Sequence, residues 1–435
     1  MATVEATPGT TLPPGPNLPP LLQTVLFIAA RRQVHIRWRR KYGELFTTTV
    51  AGNRTIVTIS RPEHIRQVFA GTPATFHAGK GNGLLAPVMG KHSLLTTDED
   101  EHLRMRKLLM PAFNGAALRG YRDLMTELAV ASVERWPVGT PFPVHPRMNA
   151  VTLEIILRVV FGMTEGPRLA ELRPRLRRIS EIGPLTVLGW SYPKLRRFAI
   201  WRRNWENLHA ADRLVYAEIA DRRAAGDLSD RGDVLSRLLT AAGDELTDVE
   251  LRDQMITLLL AGHETTATAL AWSCHELARR PEIHRKAQEA ADNGDDAYLE
   301  AVAKEAMRRR PVIQNVARYL TEPIELAGYR LPAGTVVAPS ITLVHRDATI
   351  HTDPDDFRPD RFLGKPPESA TWIPFGGGVR RCIGAGFSLQ EAVAVLKEAL
   401  TRYDIRAVHQ REEFPKPRNI TLVPARGARI VVTPR

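Results

Sequence analysis

Residues 375–384 read Phe-Gly-Gly-Gly-Val-Arg-Arg-Cys-Ile-Gly and indicate a loop that presents one sulfur. The three glycines allow the backbone to turn sharply and to pass close to a flat ligand. Arg380 and Arg381 favour a thiolate at Cys382, and helical apolar spacing from Ser388 onward places that thiolate before a helix N-terminus. A thiolate held in this way is a soft ligand suited to iron. The alternative is a reactive or structural cysteine in a glycine-rich turn.

The full pattern Phe-x-x-Gly-x-Arg-x-Cys-x-Gly is present, as Phe375, Gly378, Arg380, Cys382 and Gly384. It resembles the haem-ligand signature of the cytochrome P-450 family. This resemblance implies haem b, with Cys382 as the axial ligand of the iron, and thiolate ligation favours O–O cleavage. It extends over residues 12–435. It implies a mainly α fold with a small β-rich lobe (α+β), in which a long central helix lies over the haem.

The chain has 435 residues, of which 43% are apolar, enough for a large core. Residues 1–11 are polar and expected to be disordered, and residues 12–435 are expected to form a single haem domain. The two cysteines, Cys274 and Cys382, lie far apart and give neither a disulfide framework nor paired metal ligands. This usage fits a reducing cytoplasm, with Cys274 as a core residue.

The net charge of +12 favours acidic partners. No zinc-finger or RNP-like signature supports nucleic acid, so an acidic electron-donor protein or an anionic membrane is expected instead. Residues 21–30 are apolar but too few to span a bilayer, which takes about 20 residues. They predict either a helix on the body of the protein or a peripheral membrane contact.

A long helix is predicted from the capping-box spacing Thr247-Asp-Val-Glu250 to Arg280, the residue before Pro281. About 33 residues at 1.5 Å each make a helix of roughly 50 Å. Residues 255–271 are apolar on nearly every face, so this helix should run buried through the core.

Polar residues interrupt that apolar stretch at 262–266. A glycine within a helix costs about 1 kcal/mol relative to alanine, and buried Glu and Thr cost more unless they are hydrogen-bonded. Such breaches of local rules are expected at functional sites. Ala261-Gly-His-Glu-Thr resembles the family's oxygen-activation motif. The resemblance implies that Gly262 makes room for O₂ and substrate, that Thr265 hydrogen-bonds the activated oxygen and loosens the helix, and that Glu264 relays protons. His263 and Thr266 are expected to satisfy nearby backbone groups.

Further residues match family positions. His102 and Arg106 share one helix face, and the resemblance implies that they bind the haem propionates, as do Arg318 and Arg380. Glu305 and Arg308, with Arg361 from a downstream loop, are expected to be structural. They would hold residues 375–384, here named the Cys382 loop, in place. The run His345-Arg-Asp resembles a family Asn-Arg-Asp run and departs from it at His345.

Apolar alternation predicts a hairpin from Leu45–Val50 and residues 55–59, and short strands at 316–320, Ile324–Leu326 and 335–338. Residues 71–97 show no clear period and predict a long loop, the first wall of a substrate pocket. Residues 168–203 carry ten basic and two acidic side chains with Trp and Leu between them, which indicates either an interfacial surface, where the family has its access lid, or a solvated helical face. Val312, Ile313 and Val316 are expected to face the substrate.

The sequence therefore predicts a monomeric monooxygenase that inserts one oxygen atom from O₂ into a lipid, fatty acid, sterol or terpenoid. No dinucleotide or flavin-domain fingerprint is present, so NAD(P)H electrons should arrive through a separate ferredoxin or flavoprotein. A docking face is expected from basic residues around Cys382 with Lys397, Arg104 and Lys107. The alternatives are peroxide-driven or isomerase chemistry on the same fold, and a non-catalytic haem or lipid binder.

Overall fold

The computed structural model describes residues 12–435 except 30, 51, 164, 182–193, 195–196, 229 and 419. The expected disordered tail, residues 1–11, lies outside the described residues. The α-helices are α1 Pro20–Ala29, α2 Arg31–Tyr42, α3 Pro62–Ala70, α4 Ala78–Gly81, α5 Ala86–Met89, α6 Glu99–Leu109, α7 Gly115–Val133, α8 His145–Phe161, α9 Pro167–Ser180, α10 Ala199–Ala224, α11 Val234–Ala242, α12 Asp248–Leu277, α13 Pro281–Asn293, α14 Asp296–Arg309, α15 Ile341–Val344 and α16 Ala385–Arg402.

The strands are β1 Leu45–Val50, β2 Arg54–Ile59, β3 Phe76–His77, β4 Phe142–Pro143, β5 Arg318–Leu320, β6 Ile324–Leu326, β7 Tyr329–Leu331, β8 Val336–Pro339, β9 Tyr403–Ala407, β10 Pro415–Arg418, β11 Thr421–Pro424 and β12 Arg429–Pro434. The predicted β1–β2 hairpin is present, and β7 was missed. The expectation of a mainly α protein with a small β-rich part is confirmed.

The chain divides into two compact units built from alternating segments. The sheet unit comprises Met1–Gly83, Met307–Arg358 and Gly364–Cys382, and the helical unit comprises Leu84–Ala306, Pro359–Leu363 and Ile383–Arg435. The expectation of one domain over residues 12–435 stays a prediction.

A five-stranded sheet organises the sheet unit, in the order β1-β2-β8-β5-β3. Strand β2 pairs antiparallel with β1 and parallel with β8, so that Ile56 lies opposite Val336. The β-branched residues that line these strands fit a pleated, half-buried surface. Side chains from one face of the sheet form a core with helix α3; its members include Val57, Ile59, Ile65, Leu320 and Val337.

The helical unit is organised around the central helix α12, which packs against α8 and α16. The strands β4, β12 and β9 form one small sheet, and β10 and β11 form another. Within the described part of the chain, no helix has both the length and the hydropathy needed to cross a membrane.

The predicted capping box begins helix α12. Thr247 Oγ1 accepts from the Glu250 N–H at 3.2 Å, and the Glu250 carboxylate accepts from the Thr247 N–H at 2.9 Å. The helix ends at Leu277, three residues before the predicted end. Arg280 has φ −129° and ψ 83° because the ring of Pro281 excludes the helical conformation from the preceding residue.

Residues 71–97 contain more regular secondary structure than the long loop that the sequence predicts. They contain the strand β3, the one-turn helices α4 and α5 and a 3₁₀ turn at Gly83–Leu85. The part that belongs to the helical unit is held to α12 by side chains. Asp253 accepts from the His92 N–H at 3.0 Å, Gln254 accepts from the Leu94 N–H at 3.0 Å, and Thr257 donates to Ser93 Oγ at 2.6 Å. Such partners lie far apart in the chain, so periodicity does not reveal them.

Buried hydrogen bonds in the sheet unit support the segment that leads to the Cys382 loop. Arg308 is fully buried and donates to three carbonyls, those of His345 at 2.7 Å and of Pro354 and Asp356 at 2.9 Å. His345, also fully buried, accepts from the Ile373 N–H through Nε2 at 2.9 Å. Burial lowers the pKa of His345 well below its usual value, so the imidazole is neutral and can accept.

Replacing His345 should weaken the Cys382 loop. His345→Leu leaves the buried Ile373 N–H without its acceptor, a loss of about 1–3 kcal/mol. We expect a lower midpoint of thermal unfolding, measured by circular dichroism. His345→Asn retains an acceptor, and its midpoint should lie between those of His345→Leu and the unmodified protein. Equal midpoints for His345→Leu and the unmodified protein would contradict this support.

Candidate functional site

The loop that carries Cys382 is closed by its own backbone. The Cys382 N–H donates to the Phe375 carbonyl at 2.9 Å, and the Arg381 N–H donates to the Gly378 carbonyl at 3.0 Å. Gly376 and Gly378 adopt φ values of +67° and +64°, which disfavour any residue with a Cβ. The sharp turn expected from the glycines is therefore present, and the Cys382 thiol at its end is exposed.

The loop that carries Cys382 packs closely against helix α3. A Cβ on Gly378 would lie 2.1 Å from the Phe69 carbonyl oxygen, and one on Gly377 would lie 2.1 Å from the Phe69 ring. The sequence interpretation assigned the glycines to a flat ligand. In the sheet unit it is Phe69 that excludes side chains at positions 377 and 378.

Helix α16 follows the loop directly. It begins at Ala385 with Gly384 as its N-cap residue, three residues earlier than the predicted start at Ser388. Cys382 therefore lies three residues before a helix of 18 residues. The expected position of the sulfur, shortly before a helix N-terminus, is observed.

The basic residues assigned to haem carboxylates occupy defined positions in both units. In the sheet unit, Arg318 is buried, donates to the Gly377 carbonyl at 3.4 Å and stacks over Phe69, whereas Arg380 is half-buried. In the helical unit, His102 is buried and Arg106 is half-buried on α6. Arg318 thus supports the Cys382 loop as well as being a candidate ligand-binding residue.

Gly262 lies where two helices pack closely. A Cβ there would lie 3.0 Å from the side chain of Ile156 on α8, a close contact that a small shift of Ile156 would have to relieve. The role of Gly262 in making room for oxygen stays a prediction. The three neighbouring hydroxyls bond carbonyls one turn back: Thr265 to Ala261 at 2.8 Å, Thr266 to Gly262 at 3.2 Å and Thr268 to Glu264 at 2.8 Å. The helix is continuous through this run, and the loosening expected at Thr265 stays a prediction.

Glu264 is a buried carboxyl whose two oxygens have no hydrogen-bond partner among the described residues. Arg418 Nε lies 3.7 Å from its Oε1 and His145 Nε2 lies 4.0 Å away, both beyond hydrogen-bonding distance. Burial raises the pKa of Glu264 to about 7, against the lowering effect of Arg418; the nearby Glu181 raises it further. Glu264 is therefore present in both protonation states near neutral pH and can give and take a proton.

The two histidines beside Glu264 are neutral. Burial lowers the pKa of both His263 and His145 to about 4. His263 Nδ1 donates to the Leu259 carbonyl at 2.6 Å, which agrees with its expected backbone role. His145 lies 3.3 Å from the Thr268 hydroxyl. Neither ring adds a positive charge that would hold Glu264 ionised.

Sequence reasoning missed Arg418, His145 and Glu391. Glu391 on α16 is buried and lies beside the Thr266 hydroxyl of α12. Burial raises its pKa well above the usual value, against the lowering effect of Thr266, so the neutral form is favoured. A carboxyl within the apolar stripe of α16 was a detectable signal. Arg418 lies in a Pro-Lys-Pro-Arg strand that carries no such signal.

Of the residues assigned to structural support, Glu305 and Arg308 are fully buried and Arg361 is half-buried. In the helical unit, Arg361 Nε donates to Glu305 Oε1 at 3.2 Å, and Glu305 is fully buried. In the sheet unit, Arg308 binds the three carbonyls described above. Such pairs need their partners, because removing one leaves a buried charge uncompensated.

The donor set of the chain fits a haem held by a thiolate. Cys274 is buried in the core, and burial raises the pKa of its thiol to about 12, which favours the neutral thiol. Cys382 is exposed on a preformed loop. Arg318, Arg380 and Arg106 supply cationic groups and His102 supplies a ring N–H, all of which suit carboxylates. A soft thiolate with these cations matches iron protoporphyrin.

Comparisons with known proteins agree with this donor set. The cytochrome P450 family model matches residues 13–431. "Putative cytochrome P450 135A1" of Mycobacterium tuberculosis is 50% identical over 98% of this chain and 96% of its own length. "Putative cytochrome P450 135B1" of Mycobacterium bovis is 45% identical over 97% of this chain and 91% of its own length.

Two solved structures share the fold. The "cytochrome P450DA heme domain" has a TM-score of 0.83 at 25% identity and covers 98% of each chain. The "Retinoic acid bound cyanobacterial CYP120A1" has a TM-score of 0.85 at 22% identity, over 98% of this chain and all of that one. Proteins of this family carry haem and are in general monooxygenases. With a family model that spans almost the entire chain and relatives at 45–50% identity, this chain belongs to the cytochrome P450 family and is a monooxygenase.

Proposed function

We propose that this protein inserts one oxygen atom from O₂ into a lipophilic substrate, with electrons from NAD(P)H delivered by a separate redox protein. The observation that carries the proposal is Glu264, a buried carboxyl in the central helix whose pKa lies near 7. Reduction of O₂ to water and an inserted oxygen atom consumes protons. A carboxyl that is half-protonated at neutral pH supports that demand.

Haem b is proposed as the cofactor, with the Cys382 thiolate as its axial ligand and Phe375 and Gly384 as flanking residues of the loop. His102, Arg106, Arg318 and Arg380 are proposed to bind its carboxylates. When bound, thiolate-ligated haem supplies the chemistry of O–O cleavage. The chain itself fixes the sulfur, because the backbone of the Cys382 loop is closed by hydrogen bonds and packed on Phe69.

Proton supply is proposed for two side chains of α12. Glu264 stores the proton, and its level of protonation is set by burial, Arg418 and Glu181. Thr265 is half-buried, and its hydroxyl donates to the Ala261 carbonyl, so its oxygen lone pairs remain able to accept a proton or a hydrogen bond. Gly262 is proposed to leave space beside it.

The proposed substrate is a lipid, fatty acid, sterol or terpenoid. The apolar side chains of residues 84–89 support this choice. The positive charge of residues 168–203 supports it less than the sequence suggested, and part of that segment lies outside the described residues. Three of its arginines are already ion-paired: Arg168 with Glu218 and Asp221, Arg173 with Glu154 and Glu165, and Arg175 with Glu171. Ile313 and Val316, expected to face the substrate, pack against the core of the sheet unit.

An acidic ferredoxin or flavoprotein is the proposed electron donor, and a monomer the proposed state. Of the expected docking residues, Lys107 is exposed, whereas Arg104 pairs with Glu250 at 3.2 Å and Lys397 pairs with Asp296 at 3.1 Å. These pairs are partly exposed and worth little, so a partner's carboxylates can replace them. The cytoplasm, with a peripheral contact to a membrane, is the proposed location.

Cys382 is tested by its effect on the carbon-monoxide complex of the reduced protein. We expect the red-shifted Soret band typical of thiolate ligation, and its complete loss with activity in Cys382→Ala. Cys274→Ala is the matched control, because Cys274 is buried in the core; its spectrum should not change. An unchanged band and residual turnover in Cys382→Ala would refute the ligand assignment.

Glu264 is tested by the pH dependence of turnover in a reconstituted system with O₂ and NAD(P)H. The carboxyl is protonated below its pKa of about 7 and loses its proton above it, so turnover limited by proton donation should fall as the pH rises through 7. Glu264→Gln cannot release a proton and should lose about 100-fold in kcat.

Two further variants should shift the inflection of the curve of turnover against pH, in opposite directions. Glu181→Gln removes a charge that raises the pKa of Glu264, so the inflection should move to lower pH. Arg418→Gln removes a charge that lowers it, so the inflection should move to higher pH. Turnover that needs only hydrogen peroxide, or that is unchanged in Glu264→Gln, would instead favour peroxide-driven or isomerase chemistry.

A further inference from the structure

Helix α1 packs one face against the rest of the sheet unit, and its opposite face, which is apolar, is exposed. On the inner face, Gln23 is buried and accepts from the Thr49 N–H of β1 at 2.9 Å, while Leu26 and Phe27 pack against core clusters. On the outer face, Leu21, Leu22 and Val25 are 70%, 44% and 52% exposed, and Leu18 just before the helix is 37% exposed. Four exposed large apolar residues within eight positions form a patch, which single exposed residues do not.

The next helix adds positive charge without any acidic residue. Between Leu12 and Gly43 the sequence contains no Asp or Glu, and residues 31–41 contain six basic side chains. Helix α2 buries His35 and Trp38, and it exposes Arg37, Arg40 and Lys41 along one face. Arg39 is the exception, because it pairs inside the unit with Glu44 and Asp347.

These residues favour one kind of occupant. A second copy of this chain would bring Arg37, Arg40 and Lys41 against the same charges, which repel. An anionic lipid bilayer accepts both features, because its headgroups attract Lys and Arg and its acyl chains accept apolar side chains. With 10 residues, α1 is too short to span a bilayer and would lie in the plane of the interface.

We infer that Leu18, Leu21, Leu22, Val25, Arg37, Arg40 and Lys41 form a surface, here named the α1–α2 surface, that docks on an anionic lipid bilayer. This assigns residues to the membrane contact proposed above and does not depend on the oxygen chemistry. It places the protein beside the phase in which lipophilic molecules dissolve. A surface of this kind binds reversibly, since neither a spanning helix nor a lipid chain is required.

The test is co-sedimentation of the haem-loaded protein with phosphatidylcholine vesicles, with and without phosphatidylglycerol. The unmodified protein should bind the vesicles that contain phosphatidylglycerol, and binding should weaken at high salt because the lipid charge is screened. The triple variant Leu21→Ser, Leu22→Ser, Val25→Ser removes the apolar contact. The triple variant Arg37→Gln, Arg40→Gln, Lys41→Gln removes the charge and leaves the apolar face unchanged. Each should bind at least about tenfold more weakly.

The control variants are Val138→Ser and Val249→Ser, which remove apolar side chains that are 48% and 45% exposed in the helical unit. They should bind vesicles like the unmodified protein. The reduced carbon-monoxide spectrum of every sample reports the haem site separately, so that a lost membrane contact is distinguished from a damaged site. Absence of vesicle binding by the unmodified protein, or binding by either triple variant as strong as that of the unmodified protein, would overturn the inference. A concentration-dependent dimer abolished by the serine variant, without vesicle binding, would also overturn it, in favour of a second copy.

Discussion

The backbone of the Cys382 loop packs so closely on Phe69 that a Cβ at position 377 or 378 would lie 2.1 Å from it, and this constraint limits the path of the loop. A thiolate that serves as a metal ligand has to be exposed and yet fixed in direction. Exposure would normally bring mobility. Here the loop is closed by the Cys382 N–H bond to Phe375 and covered on one side by α3. Behind it, His345 and Arg308 hold the preceding segment through fully buried hydrogen bonds. Because these bonds are buried, each lost partner would leave a polar group without water or protein to bind.

The central helix of the helical unit meets a different constraint, which is how to keep polar groups inside an apolar core. Its threonines bond carbonyls of the preceding turn, so they add little cost. The carboxyl of Glu264 has no hydrogen bond of this kind among the described residues, and two opposing effects set its pKa. Burial favours the neutral form, while Arg418 at 3.7 Å favours the ionised form, and the balance lies near pH 7. For Glu391 on the neighbouring helix, no positive neighbour is found among the described residues, and burial raises its pKa well above the usual value. The two buried carboxyls therefore differ in their charged surroundings.

The net charge of +12 is not spread evenly over the chain. Of the ten basic side chains in residues 168–203, those of Arg168, Arg173, Arg175 and Arg202 pair with acidic residues within the helical unit. The segment from Leu12 to Gly43 has no acidic residue of its own, and its Arg39 pairs with Glu44 and Asp347 outside the segment. A total charge therefore says less about partners than the places where the charge remains uncompensated.

The sequence by itself determined which positions are candidates for the chemistry. The cysteine signature, the buried helix with its capping box and the polar run at 262–266 are local patterns, and local patterns report burial and backbone conformation directly. The tertiary structure decided which groups those positions face. The structure places Phe69 behind the glycines of the Cys382 loop, Ile156 beside Gly262, Arg418 beside Glu264 and His345 behind the loop. Each of these neighbours is far away in the chain from the residues beside which it lies. The order within residues 71–97 likewise depends on Asp253, Gln254 and Thr257 of a distant helix. Contacts of this kind arise from packing between elements, and a single sequence carries no signal for them.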